Sequence, residues 1–330
     1  MKKKIAINGF GRIGRNFLRQ IINYSDYEVV AVNDIASIDI MVHLLKYDSI
    51  HGVFKHSISI KDQSFLIDNK LIRYYSEKDP EKLNWKELGV DIVIEATGKF
   101  KTHELAYKHI LAGAKKVLLS APPLDDSIKT IVLGVNDEII DNSDTILSNA
   151  SCTTNNAAPM IKLLNDHYTI ESAYITTVHS FTTDQRLHDS PHIDFRRARA
   201  ATSSIVPTTT GAAKALTRVF PNLKNLIGGC GMRVPVANGS LTDITCILSE
   251  YTTKQEINEL FRKAALSERM NGILSYNDDM IVSVDIVGNH YSCVFDSHLT
   301  SVIGKMVKVV GWYDNEIAYS NRLIDLLKLI

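Results

Sequence analysis

The chain has 330 residues, 45 % of them apolar and 22 % charged. That is the composition of a globular protein, at a length that more than one hydrophobic core ordinarily serves, so two domains are expected. Lys plus Arg and Asp plus Glu both number 37, and the zero net charge argues against a chain that binds polyanions over its whole surface.

Met1-Lys2-Lys3-Lys4 carries the charge of a signal start, but the apolar Ile5-Ala6-Ile7 behind it is far too short for a signal h-region. No apolar run approaches a bilayer span. Short β-rich runs at 4–8, 28–33, 91–95, 116–120 and 145–148 read as buried strands. Helical patterns lie between them. One covers 12–24, with Ile13, Phe17, Leu18 and Ile21 apolar; another covers 37–45, with Ser37 as its cap. A third covers 102–112, with Thr102 as N-cap and Gly113 just beyond its end. This alternation predicts a parallel sheet covered by helices on both faces.

Beyond about 148 the runs lengthen and grow rich in Val, Ile and Thr, at 171–181, 231–236, 241–249, 280–286, 291–296 and 305–313. Several are separated by only a few turn residues, which predicts antiparallel neighbours. Among them, Thr253-Lys254-Gln255-Glu256 is a capping box opening a helix to about 266. A last helix is expected over 315–330. The polar, Arg-rich stretch from about 182 to 207 has no periodicity, and loops of that length are usually functional or disordered.

Gly9-Phe10-Gly11-Arg12-Ile13-Gly14 follows a strand and opens a helix. Composition alone would produce such a G-x-G-x-x-G roughly 0.04 times in a chain like this, so the motif is not an accident of glycine content. Gly9 permits the turn, Gly11 lets a pyrophosphate approach the backbone, and Gly14 lets the helix pack on the sheet. The amides of Arg12 and Ile13 then face the phosphate charge. Asp34 follows the next strand, where such a fold reads the ribose. A carboxylate there accepts from the 2′-hydroxyl and repels a 2′-phosphate, favouring NAD over NADP.

Of the cysteines, Cys230, Cys246 and Cys293 lie inside strand patterns. Cys152 ends a strand and leads into a helical pattern through Ser151-Cys152-Thr153-Thr154-Asn155. The positive end of a helix dipole would stabilise its thiolate. Pro159 leaves two readings open: it marks the true first turn, or it kinks a helix already begun. His179, at the end of a strand beside the polar loop, is a candidate base. His188 and His192 have i, i+4 spacing, but Pro191 between them removes the helix a metal pair needs, so no metal site is expected. The absence of a C-x-x-C pair or disulfide framework points to reduced thiols and a cytoplasmic location.

Together these segments closely resemble the phosphorylating glyceraldehyde-3-phosphate dehydrogenases over nearly the whole chain. The likeness rests on 7–15, on Ser148 through Asn155, on Thr177-Val178-His179-Ser180, on Pro207-Thr208-Thr209-Thr210-Gly211-Ala212-Ala213-Lys214, on Arg233-Val234-Pro235 and on Trp312-Tyr313-Asp314-Asn315-Glu316. The resemblance implies a Rossmann doubly wound parallel sheet over 1–150, completed by a C-terminal helix at 316–330. It also implies an α+β catalytic domain with a mainly antiparallel sheet over 151–315, and a homotetramer. Cys152 matches the nucleophile and His179 its base. Gly9, Gly11, Arg12, Ile13, Asp34, Lys78, Ser120 and Asn315 match NAD contacts. Ser151, Thr153, Thr182, Arg197, Thr210, Gly211 and Arg233 match positions that hold glyceraldehyde 3-phosphate and inorganic phosphate.

The chain departs from the family at Asn156, where a cysteine is common, at Ile317-Ala318, usually an aromatic-Gly pair, and at Lys99 and Ser190. Ser190 could loosen the cofactor preference. Two other readings compete. An erythrose-4-phosphate dehydrogenase shares the Cys and His, but Thr182 and the Thr-Gly-Ala-Ala run favour phosphorylating chemistry. A non-catalytic dinucleotide- or RNA-binding protein would use Arg196-Arg197-Ala198-Arg199, yet only Phe195 supplies an aromatic beside it, so nucleic acid is not the expected partner.

Overall fold

A computed structural model describes residues 2–330; Met1, the first residue of the charged start, is outside the described residues. The chain divides into two compact units. One comprises the residues up to Ile131, Glu138–Ala150 and Ser320–Ile330; the other comprises Val132–Asp137 and Ser151–Tyr319.

The first unit begins β1 (Lys3–Asn8), α1 (Arg12–Ile21), β2 (Tyr27–Asn33) and α2 (Ile38–Lys46). A two-stranded pair follows, β3 (Tyr47–Asp48) with β4 (Gly52–Val53), and then β5 (Ile58–Lys61), β6 (Ser64–Ile67) and β7 (Lys70–Tyr75). After α3 (Trp85–Leu88) come β8 (Ile92–Glu95), α4 (His103–Leu111), β9 (Lys116–Leu119), β10 (Lys129–Thr130) and β11 (Ile146–Ser148). Nine strands form one sheet in the order β10-β11-β9-β8-β1-β2-β7-β6-β5. The expected parallel sheet is present: β1 runs parallel to both β2 and β8. Its centre is apolar on both faces, with Ile5, Ala6 and Ile7 fully buried, as a strand sandwiched between helix layers must be.

The meander β5-β6-β7 is antiparallel and was not expected. Its β6–β7 turn is Asp68-Asn69, both at positive φ (46° and 65°), the backbone that a two-residue hairpin needs and that Asp and Asn tolerate. The Thr102 cap is present, its hydroxyl accepting from the Leu105 amide, and Gly113 takes φ +105° just past α4.

The second unit contains α5 (Cys152–Tyr168), β12 (Ile170–Ser180), β13 (Val206–Thr208), α6 (Ala212–Val219), β14 (Ile227–Val234) and β15 (Ser240–Leu248). It continues with α7 (Lys254–Ala265), β16 (Leu274–Asn277), β17 (Cys293–Asp296), β18 (Ser301–Ile303), β19 (Met306–Tyr313) and the start of α8 (Ile317–Leu327). The sheet order is β13-β14-β12-β15-β19-β17-β16, with β18 on β19. Most pairs are antiparallel, but β12–β14 and β16–β17 are parallel. The sequential strands β14 and β15 do not pair; β12 lies between them. The capping box at Thr253 forms both of its bonds, and Ile257 and Phe261 are buried beneath α7.

Three expectations fail here. Ser37 stands at the N-cap of α2, but its side chain makes no capping bond. Residues 280–286 form no strand but a bend closing in a short 3₁₀ turn at Ser283–Ile286. The Asp285 carboxylate accepts from the Val282 amide at 2.8 Å, a local bond that replaces a ladder bond. The last helix begins at Ile317 rather than Asn315, because Asp314 Oδ1 accepts from the amides of Glu316 and Ile317, both at 2.8 Å.

Candidate active site

Two residues before Cys152 the backbone turns through Ala150, a buried non-glycine at φ +54°. A side chain in this region costs energy that the surroundings must offset. The turn delivers Ser151 to the N-cap of α5, where its hydroxyl accepts from the Thr154 amide at 3.1 Å. Cys152 is therefore the first residue of the helix, and Pro159 lies well inside it rather than marking its first turn. Asn156, in the next turn, donates to the carbonyls of Ser292 and Trp312, both at 3.1 Å. The departure at this position ties α5 to the sheet strand β19 and to the residue before β17.

β12 supplies His179 and β14 supplies Arg233, which are register partners in the parallel pair. The result is a compact constellation. Cys152 Sγ lies 3.5 Å from His179 Nε2. The other ring nitrogen, Nδ1, is 2.7 Å from the Ser180 carbonyl oxygen and 2.6 Å from Arg233 Nη1, and Nη1 also donates to that carbonyl at 3.1 Å. Arg233 Nε is buried with no partner among the described residues. A buried donor on a cation with nothing to bond is a position prepared for an anion.

Burial and the Arg233 charge hold the His179 pKa at about 3, so the ring is a neutral base. Cys152 is half-buried. Burial pushes its thiol up, against the opposing pull of the Arg233 charge and of hydrogen bonds from the Thr153 amide and hydroxyl. The helix N-terminus is present as expected, and burial acts against it. Cys246 is likewise pushed up by burial, to about 12, and Cys293 further, so neither is a competing nucleophile.

Sequence reasoning assigned Tyr313 no part, yet its hydroxyl bridges Thr153 and Thr177, both at 2.9 Å. Its ring stands edge-on to His179, with centroids 5.9 Å apart. Burial and Cys152 raise its pKa, keeping it a neutral hydroxyl that ties α5 to β12. The signal that could have located it is the β15–β19 pairing, which sets Tyr313 opposite Ser240.

The remaining candidates for substrate binding lie in the same unit. Thr182 gives its amide and hydroxyl to Gln185 Oε1, at 2.9 and 3.1 Å. The Thr210 hydroxyl accepts from the Ala212 amide at 3.1 Å. Gly211 occupies the N-cap of α6 with no side-chain cap, and a Cβ added there would meet nothing within 4 Å. Arg197 stands between Asp184 and Asp194, so an anion there must compete with two carboxylates. Asn315 Oδ1 accepts from the hydroxyls of Ser180 and Ser240, at 2.8 and 2.9 Å, which fixes the amide orientation and turns its NH₂ away from them.

In the first unit a cleft of about 400 Å³ opens over the strand ends, lined by Gly9, Gly11, Asp34 and Lys78 among others. Gly9 adopts φ +94°, and a Cβ there would sit 2.6 Å from the Thr97 nitrogen. A Cβ on Gly14 would meet the Gly9 carbonyl oxygen at 2.2 Å. Gly11 opens onto free space and leaves α1 without a side-chain cap, so the positive end of the helix, which starts at Arg12 and Ile13, suits an anion. The Asp34 carboxylate is oriented by the amides of Phe10 (2.8 Å) and Ala36 (3.0 Å). The Arg12 side chain forms a two-pronged bond with Asp48, at 2.6 and 3.1 Å. Ser120, at the end of β9, gives its amide to the Glu95 carbonyl at 2.9 Å and is not among the lining residues. An uncapped helix start, a Cβ-free approach and an oriented carboxylate suit a dinucleotide. Lining residues that the sequence reading did not single out include Asn8, Asn33, Glu77 and Thr97.

Comparison with known proteins agrees with these features. Residues 3–103 match the family described as glyceraldehyde 3-phosphate dehydrogenase, NAD binding domain, and residues 151–315 match its C-terminal domain. The chain is 52 % identical over 329 residues to a glyceraldehyde-3-phosphate dehydrogenase of Streptomyces coelicolor, covering 99 % of this chain and 98 % of that one. It is 49 % identical over 332 residues to the enzyme of that name from Geobacillus stearothermophilus, covering 100 % and 98 %. Glyceraldehyde-3-phosphate dehydrogenase 1 of Bacillus subtilis is 47 % identical, with the same coverage.

Proposed function

Since the chain belongs to the glyceraldehyde-3-phosphate dehydrogenase family, we propose that it oxidises D-glyceraldehyde 3-phosphate with NAD and inorganic phosphate to 1,3-bisphosphoglycerate. The observation that carries this reading is the 3.5 Å approach of Cys152 Sγ to His179 Nε2 beside an unpartnered Arg233 Nε.

As sulfur attacks the aldehyde carbon, His179 Nε2 takes the thiol proton and returns it to the new alkoxide, leaving a hemithioacetal on Cys152. The Cys152 amide at the start of α5 and the protonated imidazole are the donors for the developing oxyanion. Bound NAD would supply the hydride acceptor, held in the first unit by Gly9, Gly11, Arg12, Ile13, Asp34 and Lys78. His179 removes the hydroxyl proton as the carbon loses hydride, and a thioester remains on Cys152. An oxygen of inorganic phosphate attacks the thioester carbonyl, the C–S bond breaks, and the sulfur regains its proton from His179. Arg233, Arg197, Thr182, Thr210, Gly211, Ser151 and Thr153 are the residues we assign to the substrate phosphate and the inorganic phosphate; Arg forks and main-chain amides are the donors such groups require.

On this reading residues 1–150 with the terminal helix bind the dinucleotide and 151–315 carry the chemistry. Assembly as a homotetramer is supported by the family likeness and by large apolar side chains that a lone chain leaves outside: Ile193 is 97 % exposed, Phe195 89 % and Met280 88 %. A cytoplasmic location is supported by four free cysteines; among the described residues no helix is long and apolar enough to cross a membrane. The test is NADH production from glyceraldehyde 3-phosphate and from erythrose 4-phosphate, each with and without phosphate. Turnover of the first that requires phosphate is expected. Phosphate-independent turnover of the second would overturn the reading.

A further inference from the structure

Behind the dinucleotide cleft lies a polar chain that the chemistry above does not use. Glu95, at the end of β8, and His109, in α4, are 2 % and 0 % exposed. Trp85, fully buried in α3, gives its indole N–H to His109 Nδ1 at 3.1 Å. Indole nitrogen is only a donor, so Nδ1 must accept, and the ring proton of His109 sits on Nε2. That nitrogen faces Glu95 Oε2 at 3.1 Å. Asn8 Nδ2 donates to the same oxygen at 2.5 Å, while Glu95 Oε1 takes the Thr97 amide at 2.8 Å and the Thr97 hydroxyl.

The carboxylate is thus surrounded by four donors, with no Lys or Arg paired to it among the described residues. Beyond it the chain continues towards the cleft. Asn8 Oδ1 accepts from Asn33 Nδ2 at 2.7 Å. Asn33 then bonds both main-chain groups of Glu77, its Nδ2 to the carbonyl and its Oδ1 to the amide, each at 2.9 Å. Asn8, Asn33, Glu77 and Thr97 all line the cleft. Two walls are therefore held from behind by one carboxylate, Asn8 with Asn33 and Glu77 forming one and Thr97 the other; His109, which bonds that carboxylate, is not itself a lining residue but also lies 3.3 Å from Asn8 Nδ2 and edge-on to Phe100.

We propose that His109, locked by the Trp85 indole and acting through Glu95, is a positioning residue for the dinucleotide: it sets the Asn8–Asn33–Glu77 and Thr97 walls of the cleft. The proposal rests on the reading of that cleft as the NAD site. Losing the donor to a buried carboxylate leaves Glu95 under-bonded, and the Asn8 amide is the nearest group to shift in response.

The test measures NAD binding by calorimetry and steady-state kinetics on full-length protein, unaltered and as His109→Leu, His109→Gln and Trp85→Phe. His109→Leu is expected to weaken NAD binding about tenfold, leaving kcat at saturating NAD and KM for the aldehyde within about twofold. His109→Gln, which keeps an N–H donor and a carbonyl acceptor on one side chain, is expected to restore affinity to within about threefold. Trp85→Phe releases the ring to exchange its proton and should weaken NAD several-fold; it decides the matter if His109→Leu does not fold. Unchanged NAD affinity in the folded variants, or a loss spread equally over kcat and the aldehyde KM, would overturn the proposal. Failure of the unaltered protein to bind NAD would instead overturn the reading of the cleft.

Discussion

Arg233 Nη1 lies 2.6 Å from His179 Nδ1, the ring nitrogen remote from Cys152, so the guanidinium adds to burial in depressing the base, while its Nε stays buried without a hydrogen-bond partner among the described residues; the proposed role of that group is to bind the substrate phosphate. A charge-assisted bond to the substrate phosphate is worth roughly 1.5–3 kcal/mol. Arg233→Met should therefore lower kcat/KM for glyceraldehyde 3-phosphate about 10- to 100-fold. Unphosphorylated glyceraldehyde, which makes no such bond, should lose markedly less. Equal losses for the two aldehydes would remove Arg233 from the phosphate site.

His179→Asn takes away the group that receives the thiol proton. With burial already pushing the thiol up, alkylation of Cys152 by iodoacetamide near neutral pH should slow by at least about tenfold. Hydride transfer should slow by about 10²- to 10⁴-fold. Alkylation at the unaltered rate would mean that the sulfur is activated by something else.

Both carboxylate oxygens of Asp34 are held by main-chain amides, which fixes the charge where a 2′-substituent would meet it. Asp34→Ala should raise the ratio of NADP to NAD use by about tenfold or more, because a carboxylate against a phosphate is repulsive and a methyl is not. Competition between the two cofactors in one assay gives the ratio. An unaltered ratio would move the selectivity to another residue, Ser190 among the candidates.

Asp48 gives a pH-dependent prediction. Burial acts to raise its pKa, but the bond from Arg12 and the amides of His51 and Ile50 win, holding it at about 2. A folded value below the ordinary carboxylate range means stabilisation that is fully present above about pH 4 and fades as pH falls toward 2. Asp48→Asn should cost about 2 kcal/mol at neutral pH, measured by denaturant unfolding. The gap to the unaltered protein should shrink below pH 4. A pH-independent gap would mean that the aspartate acts by shape alone.

Much of this architecture is legible in the residues themselves, where the signals are local. Ile5-Ala6-Ile7 can only be a strand buried on both faces, Thr253 and Glu256 mark a helix start between them, and Gly9 to Gly14 name a phosphate turn. The pairing of Cys152 with His179, 27 residues apart, is carried by the family likeness, since nothing periodic links a helix start to a strand end. What stays hidden depends on register. Tyr313 reaches Thr153 and Thr177 only because β19 lies beside β15 and β15 beside β12. Arg197 reads as a free cation until the loop folds Asp184 and Asp194 onto it. The 280–286 run has the composition of a strand, but Asp285 satisfies the Val282 amide before any neighbouring strand can. Asp68-Asn69 is a hairpin signal, but the strand before it, Ser64–Ile67, is only four residues long.

The most direct measurement is a rapid-mixing record of NADH on adding glyceraldehyde 3-phosphate to the NAD-loaded enzyme without inorganic phosphate. A covalent route through Cys152 predicts a burst stoichiometric with intact Cys152, a stall, and resumption only when phosphate is added; Cys152→Ser should give no burst. Continuous turnover without phosphate, or a burst that survives in Cys152→Ser, would contradict the account.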